Sequence, residues 1–285
     1  MSSMELAKLH ATGNDFLVQL ASERVPALDE RAACSVCDRH RGIGADGLIS
    51  VEPGCDGADC VMVLRNADGG LAEMSGNGIR CLAWVAHRAG LGDGERLVVD
   101  TAAGRRTVDL ETDSAAGAVV AATCEMGAVT FEPADIPVLA PSPFGLEATF
   151  HGITYEGDAA GMGNPHLVLF VDDPLSARVV QHGSRLERDD RFPNRTNVEF
   201  VAPTPGERDA ITMRTWERGV GETLSCGTGA CAAAAVAARR GLVGDRVTVH
   251  VPGGDLVVEL GDTIRLHGPV THVFDVTIDP AELRP

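Results

Sequence analysis

The chain repeats itself. Gly13-Asn14-Asp15-Phe16-Leu17-Val18 returns as Gly163-Asn164-Pro165-His166-Leu167-Val168, 150 positions later, with four of six residues identical. Ser75-Gly76-Asn77-Gly78 returns as Cys226-Gly227-Thr228-Gly229 at an offset of 151, and Glu95 to Leu110 returns as Asp245 to Leu260 at an offset of 150. Three matches in one order at nearly one offset indicate a duplicated unit. The expected architecture is therefore two pseudo-symmetric halves of mixed α/β (α+β) character.

Each half reads as strands around one notable helix. The apolar run Val61 to Leu64 suits a buried strand and breaks at Asn66-Ala67-Asp68-Gly69-Gly70, a stretch of turn formers. A helical run from Ile79 to Ala89 follows Gly76-x-Gly78 and is closed by Gly90. A second, from Ala230 to Arg240, follows Gly227-x-Gly229 and is closed by Gly241. The interval from Ser75 to Gly90 and that from Cys226 to Gly241 are both 15 residues. Ala232 to Ala235 with Ala237 and Ala238 suit a helix closely surrounded by sheet, although helix propensity alone also selects alanine. After each helix come two β-patterned runs about a glycine turn, at Gly104 and at Gly253-Gly254. The boundary is expected near Met126 to Val129, with the last strand, His272 to Ile278, returning to the first half. The N-terminal half is thus residues 1–127 plus 273–285, and the C-terminal half is 128–272.

Composition narrows the function classes. Hydrophobic residues make up 44% and charged residues 23%, a globular balance. With 24 basic against 41 acidic residues and a net charge of -17, an extended nucleic-acid surface is excluded as an expectation, because phosphate contacts need clustered Lys and Arg. Aromatic residues, at 4%, are too few for base stacking to be the theme. No apolar run approaches the ~20 residues of a membrane span, and Met1 to His10 lacks a signal-peptide pattern. The eight cysteines then read as reduced thiols of a cytoplasmic protein. Cys34-x-x-Cys37-x-x-His40 with Cys55 and Cys60 has the wrong second spacing for a structural zinc site, so no metal is expected.

The glycine-bounded helix starts carry the chemistry. A helix N-terminus offers N–H groups and partial positive charge, and glycines let an anion approach closely. Neither loop has the Lys-Ser/Thr ending of a nucleotide-phosphate loop, and the dinucleotide fingerprint is incomplete. Ser75 precedes one loop and Cys226 the other. A thiol at that place is expected to have its pKa lowered toward neutrality, which suits a general base. One reactive residue per half implies a carbon held on a pseudo-two-fold axis, deprotonated on one face and reprotonated on the other. Asn14, Asn66, Asn164 and Asn197 lie in turn-like contexts and can orient a ligand or merely cap turns. Glu217-Arg218 ends the strand-like run Ile211 to Trp216, and Arg218 is either half of a surface ion pair or a fork for a second carboxylate. His166 can bond a thiol, amine or carboxylate, or serve the core.

The chain closely resembles the diaminopimelate epimerases. The resemblance rests on Gly13-Asn14-Asp15-Phe16, on Arg41-Gly42-Ile43-Gly44-Ala45-Asp46-Gly47, and on Asn66-Ala67-Asp68-Gly69 with Glu73-Met74-Ser75-Gly76-Asn77-Gly78-Ile79-Arg80-Cys81. It continues through Gly163-Asn164-Pro165-His166, Asn197-Val198-Glu199, and Glu217-Arg218-Gly219-Val220-Gly221-Glu222-Thr223 with Cys226-Gly227-Thr228-Gly229-Ala230-Cys231. The resemblance implies two halves, each a curved, mostly antiparallel sheet around a central helix. It implies interconversion of LL- and meso-diaminopimelate, on the route to lysine and cell-wall peptide, without pyridoxal phosphate or metal. A cytoplasmic homodimer is implied too. By position, Ser75 and Cys226 are the acid/base pair, and Gly76, Asn77, Gly227 and Thr228 hold the reacting carboxylate. Asn14, Asn66, Asn164, Asn197, Glu217 and Arg218 bind the rest of the substrate, with His166 supporting the reacting centre.

Two positions depart from the family pattern. Gly47 stands where glutamine is common, and Ser75 stands where the family has cysteine. A neutral hydroxyl is a far poorer base than a thiolate, and helix-end fields of ~0.3–2 kcal/mol cannot bridge the gap. Three readings of Ser75 stay open: a substitution that traps ligand, slow two-base chemistry helped by a neighbour or water, and one-base chemistry at Cys226. Two alternatives to the epimerase follow, a racemase or dehydratase of a cyclic imino acid and a silent amino-acid-binding homologue.

Overall fold

The structure is a computed structural model and describes residues 4–22, 25–113, 115 and 117–279. The chain separates into two compact units, 1–125 with 267–285 and 126–266.

The first unit is built from β1 (Met4–Ala11), β2 (Asn14–Leu20), α1 (Glu30–Cys37), β3 (Gly47–Pro53), β4 (Cys60–Asn66), β5 (Leu71–Ala72), α2 (Gly76–Arg88), β6 (Arg96–Thr101), β7 (Gly104–Asp113) and β8 (Ala118–Gly127). β1 and β2 pair antiparallel, β2 and β3 parallel, β3 and β4 antiparallel, β4 and β6 parallel, and β6, β7 and β8 antiparallel in succession. The second unit contains β9 (Leu146–Phe150), β10 (Ile153–Gly161), β11 (Pro165–Phe170), α3 (Val179–Leu186), β12 (Asn197–Pro203), β13 (Ala210–Glu217), β14 (Gly221–Thr223), α4 (Gly227–Arg239), β15 (Arg246–Val251) and β16 (Gly254–Glu259). Its pairing repeats the same senses in the same order: β10 with β11 antiparallel, β11 with β12 parallel, β12 with β13 antiparallel, β13 with β15 parallel, β15 with β16 antiparallel. The duplication written in the sequence is therefore a duplication of topology. β17 (Ile264–Pro269) leads to β18 (Thr271–Ile278), which pairs antiparallel with β1 in the first unit.

Each unit buries one helix. α2 packs on β1 to β4, with Ile79, Leu82 and Ala83 fully buried. α4 packs on β10 to β13, β15 and β16, and its alanines from Ala230 to Ala234 are fully enclosed. Methyl side chains let strands approach α4 on several sides, where longer residues would force them apart. Both helices end alike. Gly90 (φ 73°) and Gly241 (φ 72°) turn left-handed, and the next amides, of Leu91 and Leu242, donate back to Ala86 and Ala237 at 3.0 Å.

Two expectations need correction. The helices start at Gly76 and Gly227, three residues before Ile79 and Ala230, because the glycines lie inside the first turn and not in a preceding loop. Val61 and Val63 are only half-buried, since β4 alternates its faces in an antiparallel pair with β3.

Candidate active site

Ser75 is the N-cap of α2, with φ -139° and ψ 122°, and its Oγ accepts the Gly78 N–H at 3.0 Å. Cys226 is the N-cap of α4, with φ -126° and ψ 112°, and its Sγ accepts the Gly229 N–H at 3.3 Å. Serine is a common cap and cysteine is not, so a sulfur in this place is not explained by helix stability. Space beside the glycines is tight. A Cβ on Gly78 would lie 3.1 Å from both Ser75 Cβ and Ile49 Cδ1, and one on Gly229 would lie 2.6 Å from Glu199 Oε1. First-turn amides have no intrahelical acceptor, so Gly76, Asn77, Gly227 and Thr228 stand at donor-rich ends suited to a carboxylate.

In the first unit a directed chain of hydrogen bonds fixes the amides. Arg80 Nη2 donates to Asn77 Oδ1 at 2.8 Å, Asn77 Nδ2 to Asn14 Oδ1 at 3.2 Å, and Asn14 Nδ2 to Asp46 Oδ2 at 2.7 Å. Arg80 is fully buried and also donates to the carbonyls of Gly76 at 2.8 Å and Pro269 at 3.3 Å. Beyond Asp46, Arg39 bridges Asp46 and Asp15, and Asp15 also takes Lys8. Burial opposes the Asp15 charge, yet the bonds from Arg39 and Lys8 prevail and hold its carboxyl well below the usual range. Asn66 lies apart from this chain, exposed at the end of β4 and opposite Gly47 in the ladder. A Cβ on Gly47 would come 2.7 Å from the Arg65 carbonyl, so a larger residue here needs the backbone to shift.

In the second unit Asn164, His166, Thr228 and Cys226 come together. His166 Nε2 is 2.8 Å from Asn164 Oδ1, Asn164 Nδ2 is 3.5 Å from Thr228 Oγ1, and Thr228 Oγ1 is 3.6 Å from Cys226 Sγ. His166 Nδ1 meets Glu199 Oε1 at 2.8 Å, with both side chains fully buried. Asn197 also braces the scaffold: Nδ2 donates to Pro165 O at 3.1 Å, and Oδ1 accepts the Arg218 N–H at 2.9 Å. Glu217 accepts the Thr223 hydroxyl at 2.5 Å. The Arg218 side chain is exposed, with Nη1 3.2 Å from the Asn194 carbonyl.

The expectation of a lowered thiol pKa is overturned. Burial pushes Cys226 well above its ordinary value, and the negative charges of Glu217 and Glu199 push in the same direction. The bonds from Thr228 and Gly229 oppose this without reversing it. Burial first, and then the two carboxylates, outweigh the donors at the helix start. Burial and the two carboxylates together favour the protonated form of Cys226. Cys81, deeper in α2, is also driven up by burial, to about 12, and is no substitute base for Ser75.

Three residues emerge here that carried no assigned role: Asp46, Arg80 and Glu199. Each sits inside a quoted motif. The available signal was a charge within an otherwise buried pattern, as with Arg80 between Ile79 and Cys81, or Glu199 between Val198 and Phe200. Among the described residues, no group of His, Cys, Asp and Glu is arranged to hold a metal ion. No helix among them is long and apolar enough to cross a membrane.

A duplicated unit that buries a capped glycine-start helix in a mixed sheet is a fold shared with solved racemases and epimerases. A hydroxyproline epimerase from Agrobacterium vitis matches with a TM-score of 0.71 and 18% identity, over 98% of this chain and 94% of that one. A probable proline racemase from Agrobacterium radiobacter K84 matches with a TM-score of 0.73 and 17% identity, over 97% and 93%. Within that class the particular family is set by sequence. The diaminopimelate epimerase family model matches residues 6–132 and 159–273. The diaminopimelate epimerase of Moorella thermoacetica is 42% identical over 279 residues, covering 95% of this chain and 98% of that protein. The chain belongs to the diaminopimelate epimerase family, a family of isomerases.

Proposed function

We propose that the protein interconverts LL- and meso-2,6-diaminopimelate by proton transfer at the α-carbon, supplying lysine and peptidoglycan precursors. Ser75 and Cys226 are the two acid/base groups, one for each face of that carbon. Amides of Gly76, Asn77, Gly227 and Thr228 hold the reacting carboxylate. Asn14, Asn66, Asn164, Asn197 and Glu217 bind the remaining polar groups, and Arg218 takes the distal carboxylate. The observation that carries this reading is the repeated cap: a side chain bearing a labile hydrogen at the same position of each buried helix, in a chain of this family.

The thiol form of Cys226 fits the acid role directly. For the base role it must lose its proton, and the cationic amino group of a bound substrate would lower the cost of thiolate beside Glu217 and Glu199. Arg218 and the helix-start amides must outweigh the long-range repulsion of a chain with net charge -17 for an anionic group. We also place the protein in the cytoplasm as a homodimer, which light scattering on the purified protein tests.

Deuterium incorporation from D2O at the α-carbon of both diaminopimelate isomers is the deciding experiment. Exchange with inversion supports the reading. Exchange or elimination on a cyclic imino acid alone would replace it with a racemase or dehydratase, and binding without exchange would make the protein a silent homologue.

A further inference from the structure

Glu199 is completely buried and its Oε2 has no hydrogen-bond partner among the described residues. Its Oε1 bonds His166 and lies against the first turn of α4, where a Cβ on Gly229 would approach it to 2.6 Å. A half-satisfied buried carboxylate is costly for a fold to keep. From it runs an unbroken polar chain to the sulfur: Glu199, His166, Asn164, Thr228, Cys226.

Donor counting gives this chain two directions. An ionised carboxylate only accepts, so His166 Nδ1 carries hydrogen toward Glu199. Nε2 is then the nitrogen with a choice. When it also carries hydrogen, Asn164 accepts through Oδ1 and donates through Nδ2, and the Thr228 hydroxyl hydrogen points at sulfur, the arrangement suited to a thiolate. When Nε2 is bare, the Asn164 amide turns over, donates to Nε2 and accepts from Thr228. Thr228 then accepts from the S–H, the arrangement suited to a thiol. The two amide orientations are nearly isosteric, so one half-turn of Asn164 reverses every link.

We propose that Glu199 is a positioning residue for Cys226: by holding Nδ1 as a donor, it makes His166, Asn164 and Thr228 a reversible hydrogen-bond chain that couples the proton on sulfur to the proton on Nε2. In the unliganded protein the coupled change removes one proton from Sγ and adds one at Nε2, so net charge is conserved. The charged groups facing the sulfur are Glu217 and Glu199, and Glu199 is the charged group bonded to the imidazole. This inference rests on reading Cys226 as an acid/base residue.

The test is a pH titration of the imidazole nitrogens by NMR in histidine-labelled protein, without substrate. In the chain as inferred, Cys226→Ala moves the His166 midpoint by about half a pH unit or more. The same substitution in a Thr228→Val background moves it by less than about a fifth of that, because the link is cut. Identical His166 titrations in the wild type and Cys226→Ala would overturn the proposal. Glu199→Gln should lower the rate of α-hydrogen exchange about tenfold and shift its pH profile, with KM within about twofold and partial rescue by Glu199→Asp. An unchanged pH profile in folded Glu199→Gln would also overturn it. The titration needs no turnover, so a failed coupling and a failed epimerase reading give different results.

Discussion

The Gly229 amide donates to the Cys226 sulfur at 3.3 Å, as the Gly78 amide donates to the Ser75 oxygen at 3.0 Å. Both helices thus offer their first turn a side-chain acceptor at the same position, and the acceptors differ in one atom type. In the proposed reaction that difference sets the rate, because a hydroxyl holds its proton far more tightly than a thiol. Microscopic reversibility makes a poor group on one face slow the overall inversion in both directions.

Ser75→Cys is therefore expected to raise epimerase activity at least about tenfold, since the new thiol accepts the same N–H while gaining a much more accessible anion. A coupled assay or chiral chromatography of the two isomers reads the change. An equal or lower rate would mean that inversion is not the natural reaction.

Isotope exchange should outrun inversion in the wild type. Cys226 can remove and return a proton on its own face without help from Ser75, so one isomer should take up solvent deuterium while keeping its configuration. Mass spectrometry of recovered substrate and product should show exchange exceeding inversion by about tenfold, a ratio that Ser75→Cys brings close to one.

The stability of the fold should decline in alkali. Burial lifts Cys37, Cys60, Cys81 and Cys124 from 9.0 to about 12, and Cys226 also lies above its ordinary value. These groups are raised in the folded state, so their contribution is fully present below 9 and is lost as pH rises through 12. Each thiol costs up to about 1.4 kcal/mol per pH unit inside that window. Urea unfolding at pH 8, 9, 10 and 11 should show little change up to 9 and a progressive fall above it, and replacing Cys124 by alanine should make that fall smaller.

The duplication made the fold legible, because repeats at one offset must give repeated topology and the closing glycines mark both helix ends. The equivalence of Ser75 and Cys226 was legible for the same reason, but not their place as caps, because the glycines read as a preceding loop. Glu199 and Arg80 were not: a charge in an apolar run marks an unusual position but not its partner, and only the packed fold brings Glu199 to His166 and Arg80 to Asn77. The Cys226 pKa was misread because Glu217 and Glu199 are nine and 27 residues away in sequence, and nothing local announces their charge.

Arg80→Met should weaken both stability and substrate binding. It keeps much of the buried volume but leaves the Gly76 carbonyl and Asn77 Oδ1 without their guanidinium donors. Two such losses correspond to about 2–5 kcal/mol. Asn77 would be held less firmly where it donates to Asn14, so KM should rise more than the stability change alone explains. Thermal unfolding and steady-state kinetics on the same sample separate the two effects.

Salt should stabilise this protein strongly. Its net charge of -17 is carried with a single lysine, Lys8, and that lysine is buried at 8% exposure against Asp15. The exposed cations are therefore arginines and are outnumbered by carboxylates, so the folded surface repels itself. Raising the ionic strength from about 0.1 M to about 1 M shortens the screening length from ~10 Å to ~3 Å, which removes most repulsion between exposed carboxylates. The ion pair of Lys8 with Asp15 is little exposed and is screened much less, so this attraction outlasts the surface repulsion. The expected outcome is a rise in Tm of about 5 °C or more by calorimetry across that range. A Tm that falls with salt would mean that surface ion pairs such as Arg96 with Asp109 outweigh the net charge.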